Sequence, residues 1–176
     1  MVDSRRVTVL GDGGWGTCLA ILLAGQGNRV TLWGAFPEYI AQLQQRHENV
    51  KFLPGVPLPT SVELTADLSK ALAEPKVIVV AIPSQYLRQV LERAKQGPWD
   101  RAAVVSVVKG IDPESHLRMS ELIRKIVSAK KLCVLSGPSI SYEVARGVPT
   151  TVVVAAEELS LAQEAQPLFT TGTFRV

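Results

Sequence analysis

Residues 7–25 read VTVLGDGGWGTCLAILLAG: a short β-branched run, a glycine-rich bend, then an apolar run with helical spacing. The bend, Gly11-Asp12-Gly13-Gly14-Trp15-Gly16, is G-x-G-x-x-G placed after a strand and before a helix, the setting in which this pattern binds a dinucleotide. The first glycine permits the tight turn, the second leaves room for a pyrophosphate, and the third lets helix and strand approach closely. Free N–H groups at the helix start then hold the anion, with the helix dipole adding roughly 0.3–1 kcal/mol. The stretch predicts a nucleotide-binding βα unit. A purely structural tight turn is the other reading of the same glycines.

Outward from this unit the pattern repeats. Short, nearly continuous apolar runs occur at 7–10, 30–33, 77–82, 102–108, 132–135 and 150–156. Such runs predict strands buried on both faces of a parallel sheet. Between them, residues 17–26, 39–47, 67–74, 84–95, 116–128 and 157–168 carry helical spacing, as in Leu87, Val90 and Leu91. The alternation implies βαβ units with right-handed crossovers. The expected fold class is α/β: a Rossmann-like doubly wound, mostly parallel sheet, with one domain over 1–176. Residues 52–60, FLPGVPLPT, hold three prolines and a glycine, and read as an extended connection rather than an element. Asp67 is a candidate N-cap, and Asp112-Pro113-Glu114 a turn before a helix. Residues 173–176 read as the start of a strand; an ending there suggests an N-terminal fragment of a longer protein.

Composition narrows the classes. With 176 residues, 47% hydrophobic and 20% charged, the chain supports one buried core and is not disordered. Its 19 basic and 16 acidic residues are scattered, which is no nucleic-acid footprint. Cys18 and Cys133 lie in apolar stretches without CxxC spacing, so they read as buried thiols in a reducing compartment. His47 and His116 are too far apart to argue for a metal or a catalytic triad, and read as helix-surface residues. The longest uncharged run, 13–28, is too short and glycine-rich to span a bilayer. Asp12 interrupts any secretory apolar segment. A cytoplasmic protein without metal, membrane or nucleic-acid partner is expected.

The remaining polar clusters fall where strands should end. The second strand normally supplies an acidic residue for the ribose of NAD, or an arginine for NADP. Here it runs into Trp33-Gly34-Ala35-Phe36, with neither. Glu38 is near the usual distance, but after Pro37 it serves equally well to open the next helix. Phe36 reads as an adenine-stacking group or as a core residue. NAD is slightly favoured because no cation is present. Residues 82–86 (IPSQY), Lys109-Gly110 and Ser136-Gly137-Pro138-Ser139 follow three other strands, and would share the crevice at the carboxyl ends of the sheet. Lys109 would place an ammonium there, suited to a phosphate or a polarised carbonyl oxygen. The plainer readings are a surface lysine, a helix-capping Ser139 and a half-buried Tyr86.

Five stretches carry a resemblance: LGDGGWGTCLA at 10–20, HENVKFLPGVPLP at 47–59, AIPSQYL at 81–87, SVVKGID at 106–112 and LSGPSISYEVARGVPT at 135–150. In this order they resemble the N-terminal half of the NAD(P)-dependent glycerol-3-phosphate dehydrogenase family. The resemblance implies reversible hydride transfer between NAD(P)H and dihydroxyacetone phosphate, giving sn-glycerol 3-phosphate for glycerophospholipid synthesis. It implies that Gly11, Gly13, Gly14, Trp15 and Gly16 hold the cofactor pyrophosphate, and that Phe36 and Tyr86 line its adenosine and nicotinamide ends. Lys109 matches the catalytic lysine that contacts cofactor and substrate, Gly137 and Ser139 match substrate contacts, and Ser141 matches a cofactor contact usually held by alanine in bacteria. Ala35 departs from the arginine or histidine common near that position, which puts NADP use in doubt. The family continues into a helical C-terminal domain that carries a second lysine and the phosphate-gripping groups. Lacking it, this chain is expected to bind cofactor but hardly turn over, and a homodimer is one assembly open to the full-length enzyme. Another hydroxyacid dehydrogenase and a non-catalytic NAD(H)-binding module are the alternatives.

Overall fold

Short β-branched runs alternate with helices throughout residues 4–176, the part of the chain that the computed structural model describes. Strand β1 (Arg6–Leu10) leads through the glycine bend into α1 (Gly14–Gly25), and β2 (Arg29–Trp33) leads into α2 (Pro37–Arg46). A hairpin of β3 (Glu48–Asn49) and β4 (Leu53–Pro57) precedes β5 (Glu63–Thr65) and the single turn of α3 (Leu68–Ala71). Then come β6 (Val77–Val80), α4 (Ser84–Arg93), β7 (Ala103–Ser106), α5 (Met119–Val127) and β8 (Lys131–Ser136). The chain closes with α6 (Ser141–Ala145), β9 (Thr150–Thr151), β10 (Val153–Ala156), α7 (Leu159–Phe169) and β11 (Phe174–Arg175).

The main sheet has the order β10-β8-β7-β6-β1-β2-β5. All its pairs are parallel except β10 against β8. From β1 the chain winds one way through β2 and β5 and the other way through β6, β7 and β8. The sheet is therefore Rossmann-like and doubly wound, and its direction switches between β1 and β6, where such sheets open a crevice. Period-two alternation distributes the strands between two cores. Val7, Val9, Val30, Leu32, Val77 and Val79 pack with α1 and α7, while Leu10, Trp33, Ile78 and Val80 pack with α4 and α5. Burying each such side chain contributes roughly 1.5–3 kcal/mol.

Several expectations are corrected. Residues 52–60 are not merely a connection, because Leu53–Pro57 pairs antiparallel with Glu48–Asn49. A two-stranded ribbon has free edges on both sides, which is where prolines are tolerated. Residues 63–65 form the sheet-edge strand β5, and α6 is a further element that periodicity did not reveal. The run at 150–156 is not one parallel strand: it splits around Val152, and its second half lies antiparallel at the sheet edge with Val153 66% exposed. The helix expected from 116 begins at Met119, since His116 turns the chain with φ 55°. His47 likewise takes a left-handed conformation at the C-cap of α2. Asp67 caps α3 as expected, its Oδ1 accepting from Ser69 N at 2.9 Å and Lys70 N at 3.1 Å. Both cysteines are free and buried, and burial pushes the Cys18 thiol up to about 12. Among the described residues no helix is long and apolar enough to cross a membrane.

Candidate cofactor and substrate cleft

Each glycine of the bend has its own steric reason. Gly11 has φ 119°, and an added Cβ would meet the Ala81 carbonyl oxygen at 2.6 Å. Added at Gly16 it would lie 1.8 Å from the Gly11 carbonyl oxygen, so bare backbone is what lets α1 start against β1. Gly14 presses on the hairpin: a methyl added there would lie 2.5 Å from Phe52 O and 3.0 Å from Ser141 Oγ. Gly13 differs. It is the N-cap of α1 without a side-chain cap, and a Cβ there would meet nothing within 4 Å. Open space is thus kept beside the uncapped start of α1, which is what an anion at a helix start requires.

That space belongs to a cleft of about 600 Å³ at the carboxyl ends of the strands. The cleft is lined by Gly13, Gly14 and Trp15 of the bend, by Ala81–Gln85 and Val107–Lys109 after β6 and β7, and by Ser139–Ser141 after β8, with Ser141 beside Gly14. Lys109 Nζ donates to the Gly137 carbonyl oxygen at 3.1 Å, spanning from the end of β7 to the loop after β8. The carbonyl of Gly137 also accepts from Ser139 N at 2.9 Å. Lys109 thus lines the cleft as an exposed side chain whose ammonium is tethered to the loop after β8.

The glycine bend is held from behind by a buried network. Asn49, fully buried, donates from Nδ2 to Asp12 O at 2.9 Å and to Thr17 Oγ1 at 2.7 Å. Its Oδ1 accepts from Phe52 N at 3.0 Å and from the Tyr39 hydroxyl. Burial pushes the Asp12 carboxyl above its usual range, partly offset by its own backbone N–H and by the charge of Lys51.

Comparison with known proteins decides the family. The family model for the N-terminus of NAD-dependent glycerol-3-phosphate dehydrogenase matches residues 6–162. This chain belongs to that family. It is 42% identical to a glycerol-3-phosphate dehydrogenase [NAD(P)+] of Bacillus pumilus over 175 residues, which is 98% of this chain and 51% of the relative. The Bacillus subtilis relative is 41% identical with the same coverage. The chain thus spans about half the length of the curated relatives it matches. Among solved structures, glycerol-3-phosphate dehydrogenase from Coxiella burnetii superposes with a TM-score of 0.92 at 28% identity, over 98% of this chain and 53% of that one. A UDP-D-ManNAc dehydrogenase from Pyrococcus horikoshii, at 16% identity and TM-score 0.77 over 97% of this chain and 46% of that one, shares the fold alone.

Of the residues that the glycerol-3-phosphate dehydrogenase pattern singled out, the structure brings Gly13, Gly14, Trp15, Lys109, Ser139 and Ser141 to one cleft, with Gly137 bonded to Lys109. Gly11 and Gly16 shape the bend from beneath. Phe36 is 68% exposed at the N-cap of α2, which excludes its reading as a core residue. Tyr86 is 55% exposed on α4 and is not part of the cleft wall, which ends at Gln85. Ser139 does not cap α6, whose N-cap is Ile140. Trp15 lines the cleft while its ring packs 6.1 Å from that of Phe174. Asn49, Lys51 and Asp12 were not singled out from sequence. Asn49 is buried by partners from distant segments, so the sequence around it carries no local signal of burial.

Proposed function

We propose that this chain is the cofactor-binding half of an enzyme that interconverts dihydroxyacetone phosphate and sn-glycerol 3-phosphate, the step that feeds glycerophospholipid synthesis. The observation that carries the reading is Lys109: it lines the same cleft as Gly13, whose Cβ position is open, and its ammonium donates to Gly137 O in the loop after β8. The residues present fit a dinucleotide. Gly13 leaves its Cβ position empty, and Gly11, Gly14 and Gly16 let the backbone close around that space. Gly11, Gly13, Gly14, Trp15 and Gly16 then hold the pyrophosphate, and Ser141 contacts the cofactor beside Gly14. Phe36, exposed after β2, offers a ring to the adenine. NAD is favoured over NADP, since Gly34-Ala35-Phe36 brings no cation to the ribose.

NAD(H) supplies the hydride that the substrate carbonyl carbon accepts. Lys109 stabilises the negative charge that develops on the carbonyl oxygen, and its prior bond to Gly137 O means little reorganisation is needed. Ser139 orients the substrate from the cleft lining, and Gly137 does so from the adjoining loop whose carbonyl holds Lys109. The alkoxide so formed also needs a positioned proton donor, a role assigned to none of the residues named at this cleft. Two buried, unpaired thiols suit a reducing, cytoplasmic setting.

The test is NADH oxidation by the natural gene product with dihydroxyacetone phosphate and with a panel of 2-keto acids. Preference for the triose phosphate is expected. Preference for a keto acid would overturn the reading.

A further inference from the structure

Strand β2 runs into Gly34-Ala35-Phe36, so the place from which an acidic side chain reads the adenosine ribose in doubly wound folds carries none. The glycine bend supplies one instead. Gly11 N donates to Trp33 O at 2.9 Å, which lays the following residue, Asp12, against the end of β2. A Cβ added to Gly34 would fall 2.2 Å from Asp12 Oδ2, so the carboxyl fills the space that the bare Gly34 leaves. Asp12 as a whole is partly exposed, yet its Oδ2 is shielded and has no hydrogen-bond donor among the described residues. Rotation about the last side-chain torsion, which is broad for a carboxylate, exchanges the two oxygens. Native proteins seldom orphan a buried carboxylate oxygen, and a ligand that brings its own donor is one resolution.

We propose that Asp12 is the ribose reader of this chain, accepting the adenosine 2′-hydroxyl of NAD from within the glycine bend and repelling the 2′-phosphate of NADP. This rests on the cofactor reading above. A ribose hydroxyl donates, whereas a phosphate near neutrality offers only negative charge and acceptors, so one carboxylate discriminates in both directions. The charge of Lys51 acts on Asp12, and that of Asp12 acts on the Tyr39 hydroxyl. The Lys51 ammonium sits 4.8 Å over the Phe52 ring, and the attraction of Asp12 partly neutralises a cation that would otherwise favour a 2′-phosphate.

The experiment is a fluorescence titration of the natural gene product with NADH and NADPH, for the native protein, Asp12→Asn and Asp12→Ala. Competition by ADP-ribose and by its 2′-phosphate gives a second readout independent of turnover. The native protein is expected to prefer NADH, and Asp12→Asn to lower the NADH to NADPH affinity ratio by about tenfold or more, the scale of one lost charge-assisted hydrogen bond. The alanine variant tests the same ratio should the asparagine variant misfold. A native preference for NADPH, or an unchanged ratio in the variants, overturns the role of Asp12 and leaves the cofactor reading standing. A native protein that binds neither nucleotide overturns both.

Discussion

Asn49 Nδ2 lies 2.9 Å from the carbonyl oxygen of Asp12, so the hairpin of β3 and β4 grips the glycine bend through a buried hydrogen bond. The same amide reaches Thr17 Oγ1 in the first turns of α1. Asn49→Ala would strip both partners inside a region closed to water. The expected cost is about 1–3 kcal/mol. For a chain of this length that lowers Tm by about 2–4 °C per kcal/mol, which differential scanning calorimetry would read. A weakened NADH affinity should accompany it, because the bend loses its support.

Gly13 and Gly16 should separate binding from folding. Gly13→Val places its side chain in empty space, so the protein should keep its Tm while NADH binding disappears from a fluorescence titration. Gly16→Ala would put a methyl 1.8 Å from Gly11 O. That clash is with backbone, and the expected loss is about 1–3 kcal/mol or more of stability.

Removing the ammonium at Lys109 should leave the fold alone, since the side chain is exposed and bonds only to Gly137 O among the described residues. In the natural gene product, Lys109→Ala should lower kcat/KM for dihydroxyacetone phosphate by about 10²-fold or more through loss of a preorganised cation. Steady-state kinetics near the native values would return Lys109 to a surface role.

Acid should find Asp112. Its carboxyl is held below the usual range first by the Ser115 hydroxyl at 2.6 Å, against an opposing burial effect, and further by Ser115 N–H and the Arg88 guanidinium. A value lower in the folded than in the unfolded chain contributes stability above the ordinary carboxylate range, and that stability is lost as pH falls through the folded value. Asp112→Asn should therefore lower Tm near neutral pH, and flatten the fall in Tm below about pH 4. Melting curves across that range would check both parts.

Much of the site was legible because its signals are local. The glycines at 11 and 16 announce a bend whose geometry only a missing side chain allows, Gly13 leaves open space beside it, and Lys109 follows an apolar run directly. The edges of the fold were less legible. Residues 150–156 look like any buried strand, and their antiparallel pairing with β8 depends on how the intervening α6 and β9 return the chain. The prolines at 54 and 57 argued against an element, yet a two-stranded ribbon tolerates them at its free edges.

Backbone conformation and apolar period are properties of neighbouring residues, so residue order by itself determined the doubly wound sheet, the anion-ready bend and the cation at the end of β7. Burial of a polar atom is a property of whatever distant segment lies on top of it. Only the tertiary structure could place Asn49 beneath Asp12, set the Asp12 carboxyl against Gly34, and leave Phe36 and Tyr86 facing outward.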